Sequence, residues 1–299
     1  MNPRSPRPDD PLWADVGPDP DSDYHDLTVH ALMVVGPGEA DRWLDSVVRW
    51  TAPAVDSLFI YADMPDQATL DALIVLQRPA PEGVAATVWC RSSDDPGFLD
   101  HEARFRAAAW AAWHACINPA PGDWVLLPDA DEYLVCQQAA LGRRDALHGT
   151  AGYAQQLGLD AVAVPVPEVW GFAPDRHPMV RVDGRWAGNS GPRLVRWQPT
   201  VNAGDPRAWR DAPMGCGSAP ACYTDPAHTY APSFVRLLHY GYAHADDVAA
   251  KAARYQGMAD HGHHDDHIAS ITRPPRLEPI AGVGEWPDAY RGTPTTTTS

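Results

Sequence analysis

Along the 299-residue chain, short apolar runs alternate with stretches of helical periodicity. "LTVHALMVV" (27–35) is continuously apolar over a length that suits a buried strand. After a Gly-Pro-Gly break, "EADRWLDSVVRW" sets Trp43, Leu44, Val47 and Val48 at three- and four-residue spacing, which predicts a helix. "VDSLFIYAD" (55–63) predicts a second buried strand that delivers Asp63 at its C-terminal end. "DQATLDALIVLQ" then predicts a second helix, and "GVAATVWCRS" (83–92) a third strand. The Ala-rich "HEARFRAAAWAAWHACI" (101–117) is strongly helical and leads into "GDWVLLPDADEYL" (122–134). There Trp124, Val125, Leu126 and Leu127 read as a buried strand that Pro128, having no N–H, brings to an end. Asp129, Asp131 and Glu132 follow at once, so carboxylates gather where a central strand surfaces. Such crowding costs free energy unless a cation or a basic side chain compensates it. The plainer alternative is a turn capping a helix that starts near Glu132.

The second half is less regular. "LDAVAVPVPEVWGF" predicts a strand near 160–166 that runs on past two prolines, "PRLVRW" a short strand at 192–197, and "YAPSFVRLLHYGY" a strand ending at His239. "ADDVAAKAARYQGM" (245–258) predicts a helix started by Asp246 or Asp247, with Lys251, Arg254 and Tyr255 on one face. Trp170, Trp186, Trp197 and Trp209 fall in polar connections, where they either stack on a sugar or base or pack as satellites of the core. Strand–helix alternation through residues 27–134 predicts an α/β fold, a mainly parallel sheet with helices on both faces. Ligands in such sheets bind beyond the C-terminal strand ends. Asp63 and the Asp129–Glu132 cluster are both placed on that edge.

Composition narrows the partners. A net charge of -16 argues against a nucleic-acid backbone or an anionic membrane as a surface partner, though not against a pocket for one phosphorylated small molecule. No apolar run reaches membrane-spanning length, and the Pro- and Asp-rich residues 1–26 lack a signal-peptide core, so cytoplasmic is the expected location. Five cysteines, an odd number at wide spacing, fit free thiols better than a disulfide framework.

Several chemistries lack their signals. "VVGPGEA" carries neither the three-glycine dinucleotide fingerprint nor the Lys-Ser/Thr end of a triphosphatase loop, and its Pro37 removes an N–H from any phosphate cradle. No Gly-x-Ser-x-Gly elbow is present. The acids instead suit a hard divalent ion, Mg²⁺ or Mn²⁺, held by one or two carboxylates and a substrate's phosphates. His239, at another strand end, is a candidate extra ligand that would favour Mn²⁺; its alternative is a hydrogen-bonded core histidine. "HGHHDDH" (261–267) reads as a polar loop or an adventitious Zn²⁺ or Ni²⁺ group.

"GDWVLLPDADEYL" resembles the Asp-x-Asp region of bacterial family 2 glycosyltransferases with the GT-A fold. "LLHYGYAHADDVAAKAARY" is similar to the late His-x-Gly-Tyr turn and helix of that group, and "ADRWLDSVVRWTAPAVDSLFIYADMPDQATLDAL" to its opening unit. The resemblance covers most of residues 27–260. It implies one GT-A-like domain at 27–286, flanked by a Pro- and Asp-rich arm at 1–26 whose composition predicts a disordered or loosely attached segment and a tail at 287–299 expected to be disordered. Within the domain, 27–135 would be the nucleotide-sugar part and 136–286 the acceptor side. It further implies that Asp63 contacts the base, Asp129 the ribose or the ion's water shell, and Asp131 and His239 the metal. Arg106, with Arg104 as its close alternative, falls where the family often carries an arginine, and Lys251 would reach the diphosphate. The usual Lys-Asn-Glu after the first strand is absent, leaving Glu39 as the nearest acid. The implied reaction moves a sugar from a nucleotide-diphospho-sugar donor to a carbohydrate or other hydroxyl-bearing acceptor, with inversion. Inversion requires a carboxylate base, for which Glu168, Asp211 and Asp183 compete. A nucleotidyltransferase and a catalytically degraded carbohydrate- or nucleotide-sugar-binding protein are the alternatives.

Overall fold

The computed structural model describes residues 26–36, 42–78, 83–93, 97, 102–137, 141–184, 190–201, 203–209, 219–224, 230–231, 233–257, 265–283 and 286–287. The expected arm and tail lie almost wholly outside these residues. Glu39, Trp186, Asp211, His263 and His264 lie outside them as well.

The first strand, β1 (Val29–Val35), lies at the centre of a six-stranded sheet. Helix α1 (Leu44–Thr51) follows, then β2 (Ser57–Ala62), α2 (Gln67–Leu76), β3 (Ala86–Cys90), α3 (Glu102–Ile117) and β4 (Trp124–Leu126). β1 pairs in parallel with β2 on one side and β4 on the other, and β2 pairs in parallel with β3. Beyond the acidic turn come β5 (Glu132–Cys136), α4 (Arg143–Gln156), β6 (Ala161–Pro165), β7 (Val169–Phe172), β8 (Pro178–Arg181) and β9 (Ser190–Arg196). A short helix α5 (Ala221–Thr224), β10 (Val235–His239), α6 (Ala245–Gly257), α7 (Asp265–Ile271) and β11 (Leu277–Pro279) complete the order. The main sheet runs β3-β2-β1-β4-β9-β6, with β9 antiparallel to both neighbours. β10 and β5 form a small antiparallel sheet, and β11, β8 and β7 a third.

Side-chain alternation along β1 divides the interior in two. Val29, Ala31, Met33 and Val35 face a core built with Leu44, Val47 and Val48 of α1, Leu73 and Leu76 of α2, and Ala146, Leu147, Ala151 and Ala154 of α4. Leu32 faces the other way, with Phe59 and Tyr61 of β2, against Phe105, Trp110 and Trp113 of α3. Helices therefore cover both faces, as the alternation predicts. Trp197 and Trp209 join the second core and are buried there. Among the described residues, no helix is long and apolar enough to cross a membrane.

Local chemistry sets several element ends. Asp66 caps α2, its carboxylate accepting the Thr69 N–H at 2.9 Å. Two expectations are altered. Glu132 opens a fully buried strand rather than a helix, because β10 supplies an antiparallel partner for the whole of β5. The strand expected to run past Pro165 and Pro167 stops at Pro165, and the chain restarts as β7 in a different sheet. Proline cannot donate to a ladder, so a pair spaced two apart is a natural place to change sheets.

Candidate active site at the C-terminal edge of the sheet

The acidic turn is assembled by strand ends. After β4, Asp129 continues the parallel pairing by bridging to Val34 of β1. The Asp63 N–H, just past β2, donates to the Val35 carbonyl at 2.8 Å. Asp63 and Asp129 thus leave the sheet at the same edge, on neighbouring sides of β1. Register in the small sheet does the rest. His239 faces Glu132 across the β5–β10 pair, and the Tyr240 N–H donates to the Asp131 carbonyl at 2.8 Å. The His239 N–H donates to the Pro167 carbonyl at 3.0 Å, which places Glu168 beside the imidazole.

The outcome is a chain of charges. His239 Nε2 lies 3.2 Å from Asp131 Oδ2, although 108 residues separate them. On its other side the imidazole Nδ1 hydrogen-bonds Glu168 Oε2. Lys251 Nζ stands 3.1 Å from His239 Nε2 and 4.3 Å from the centroid of the Tyr242 ring. Asp129 is the most open of the central acids, with 30% of its side chain exposed. Its carboxylate lies 3.5 Å from Arg106 and 3.6 Å from Arg193. Glu132 is fully enclosed and accepts from Arg193 at 2.7 Å, while its other oxygen accepts the Asp129 N–H at 3.0 Å. Arg106 is buried in α3, with Glu102 holding its Nε at 2.8 Å.

These contacts shift the titrations. Burial would raise Asp131, but His239 and then Lys251 outweigh it and hold the carboxyl well below the usual range. Burial likewise opposes ionisation of Asp129, which Arg106 and Arg193 keep below its ordinary value. Glu132 goes the other way. Burial, helped by Asp129, pushes it up to about 7 against the pull of Arg193. Burial would depress the His239 imidazolium, yet Glu168 and Asp131 raise it to about 10 despite the nearby Lys251 ammonium.

Asp63 is buried and accepts from Arg91 Nε at 2.6 Å. Asp183 is placed differently from Glu168. It is clasped by Arg181 at 2.9 and 3.0 Å and accepts the Arg276 N–H, at the β8 side of the molecule. Arg193, Arg91 and Arg42 were not singled out by sequence. Arg42 bonds Asp247 of α6 at 2.8 Å and adds to the field that keeps Asp131 ionised.

The donor set can be tested against a divalent ion. Among the described residues, no group of three His, Cys, Asp or Glu side chains converges at metal-ligand spacing. Asp131 and His239 do converge, as a carboxylate and an imidazole aimed at one small space. A Cβ on Gly241 would stand 2.5 Å from His239 Nε2 and 2.7 Å from Asp131 Oδ2, so glycine keeps that space open. Two protein ligands completed by phosphate oxygens and water are a usual complement for Mg²⁺. Glu168 on Nδ1 supplies the carboxylate that commonly orients a metal-binding histidine. The residues fit the ion.

No family model matches the chain, and no curated protein does. Among solved structures, residues 1–349 of S. aureus TarS match with 13% identity and a TM-score of 0.42, over 82% of this chain and 70% of that one. The same fragment in complex with UDP-GlcNAc gives 13% identity and 0.39, over 82% and 71%. A 4-diphosphocytidyl-2C-methyl-D-erythritol synthase gives 18% identity and 0.30, over 60% and 76%. Likenesses of this extent add nothing to what the strand order already says: an α/β fold with a central sheet and flanking helices.

Proposed function

We propose that the chain is a metal-dependent glycosyltransferase of the GT-A kind, moving a sugar from a nucleotide-diphospho-sugar to an acceptor hydroxyl with inversion. The observation that carries this reading is the approach of His239 to Asp131, 3.2 Å apart in the turn that also carries Asp129, at the C-terminal edge of the parallel strands, the edge where ligands of such folds bind. The antiparallel β9 beside β4 and the small β5–β10 sheet support it by bringing His239 to the acidic turn.

Asp131 and His239 would hold Mn²⁺ or Mg²⁺. When bound, the ion supplies charge neutralisation for the departing diphosphate. The rest falls to the chain. Glu168 keeps the imidazole oriented and its Nε2 aimed at the open space. Arg106 and Arg193 hold the Asp129 carboxylate at the mouth of the site, where it can take a ribose hydroxyl. Asp63, fixed by Arg91, stands ready for the base. Buried Glu132 braces Arg193 and the turn itself. Of the two described acids considered as base, Glu168 is the one within this cluster, but its contact with His239 suits an orienting carboxylate. Asp183 would have to give up Arg181.

The test is a panel of nucleotide-sugar donors incubated with the chain and Mn²⁺, following release of nucleoside diphosphate. Mn²⁺-dependent release from at least one donor, lost in Asp131→Asn, is the expected result. Binding of donor and Mn²⁺ without turnover on any acceptor would favour the degraded binding protein.

A further inference from the structure

The chain contains one lysine; the rest of its 23 Lys and Arg residues are arginine. That lysine is Lys251, and α6 carries its ammonium to 3.1 Å from His239 Nε2. The same Nε2 lies 3.2 Å from Asp131 Oδ2. A Cβ on Gly241 would meet Lys251 Nζ and His239 Nε2 at 2.5 Å and Asp131 Oδ2 at 2.7 Å, so three polar atoms share a space the size of one small group. An ammonium is a compact point charge on a flexible stem, whereas a guanidinium is a broad planar fork. The position at which this chain departs from arginine is therefore the one where a point cation faces a carboxylate and an imidazole. Those are also the two groups that would hold a divalent ion.

We propose that Lys251 is a resident cation of this site, and that a divalent ion binds by displacing its ammonium from beside His239 Nε2. The proposal rests on Asp131 and His239 being the metal ligands. Ammonium and metal exclude each other because both would occupy the space beside Gly241 that His239 Nε2 and Asp131 Oδ2 border, and because like charges so close repel strongly in a buried site. The displaced ammonium has somewhere to go. It already lies against the Tyr242 ring, which stacks on Trp170 at 4.8 Å, and a cation is attracted by such a ring face. The long stem lets the head group swing without moving α6. The arrangement keeps the acids neutralised before metal and donor arrive, and frees a positive charge when they do.

Lys251→Met keeps most of the length of the side chain and removes the charge. Mn²⁺ affinity of the full chain, measured by electron paramagnetic resonance, should rise at least ~10-fold in this variant, because the ion no longer competes with the ammonium. Thermal melting checks that the variant is folded, and Lys251→Gln, with the same expectation, replaces it otherwise. A single lysine also means a single side-chain Nζ resonance after ¹⁵N-lysine labelling, and that resonance should move as Mg²⁺ is titrated in. Equal or weaker Mn²⁺ affinity in the variant, or an Nζ resonance unmoved at saturating Mg²⁺, overturns the displacement and leaves the ligand pair standing. If neither chain takes up Mn²⁺, the ligand pair falls and the displacement with it.

Discussion

At the two ends of the parallel strands, polar side chains are handled in opposite ways. At the N-terminal end each acid has basic partners of its own. Asp56 accepts the Val29 N–H at 2.7 Å and is ion-paired to Arg144, with His148 Nε2 at 3.4 Å. His30, buried near the start of β1, hydrogen-bonds Ser57 Oγ at 2.7 Å and Asp123 Oδ2 at 3.1 Å, tying β1, β2 and the approach to β4 together. These are the residue types of a hydrolytic triad, used here to lock strand ends. At the C-terminal end two acids share one basic partner. His239 serves both Asp131 and Glu168, and Arg193 serves both Glu132 and Asp129. Matched networks fix a fold; shared ones leave carboxylate oxygens facing an opening, where an incoming cation gains most.

The largest effect should come from the shared end. Asp131→Asn removes the charge while keeping the size, and turnover should fall at least ~100-fold, the loss of several kcal/mol of charge stabilisation at the leaving group. Crowding of acids in the sequence suggests that relief of repulsion would raise the melting temperature of this variant in metal-free buffer. The structure reverses that sign, because His239 and Lys251 hold Asp131 ionised. The variant should melt somewhat lower, which calorimetric scanning will show.

Gly241→Ala comes next. The added methyl stands where Asp131, His239 and Lys251 meet, so Mn²⁺ affinity should drop by about 10-fold, or ~1.4 kcal/mol, with a smaller change in melting temperature. Titration with Mn²⁺ alongside a melting curve separates the two.

The matched end should answer in stability alone. Asp56→Asn leaves the Val29 N–H and Arg144 poorly partnered and should cost about 1–2 kcal/mol, with turnover per folded molecule unchanged. Denaturant titration beside an activity assay reads both. Acid should act at the same end. Burial holds the His148 imidazolium below its ordinary 6.5, against the pull of Asp56, so the unfolded chain binds the extra proton first. Stability from this group is complete above pH 6.5 and declines as pH falls below it. Burial opposes the Asp56 carboxylate, but Val29 N–H, Arg144 and His148 prevail and lower it from 3.8, so a second decline begins near that pH. His148→Gln should flatten the first decline and shrink the second, to which Val29 N–H and Arg144 still contribute, as melting temperatures across pH will show.

Much of this division was legible in the chain. Apolar runs ending in acids located Asp63 and Asp129 at strand ends, because a buried strand must surface somewhere and its last residue inherits the edge. Helix α3 followed from its Ala-rich run, whereas Trp197 and Trp209, which the chain places in polar connections, are buried in the core. Pairing was not legible. "EYLVC" carries an acid first and gives no sign that β10 will cover it, so a helix start near Glu132 was as reasonable as a strand. Arg193 sits in "PRLVRW", where alternation alone makes it a surface residue. Only the antiparallel insertion of β9 beside β4 turns it toward Glu132 and Asp129. Lys251 could be assigned a helix face, but its approach to His239 depends on the glycine turn between β10 and α6, a tertiary closeness that no local pattern encodes.

The most direct test of the shared end is calorimetric titration of the full chain with UDP, GDP and ADP, each in Mn²⁺ and again in chelator. If Asp131 and His239 hold one ion under a diphosphate, at least one nucleotide should bind ~10-fold or more tightly with Mn²⁺, each partner neutralising the other's charge, and Asp131→Asn should erase the gain. Equal affinities in Mn²⁺ and in chelator for all three nucleotides would contradict it.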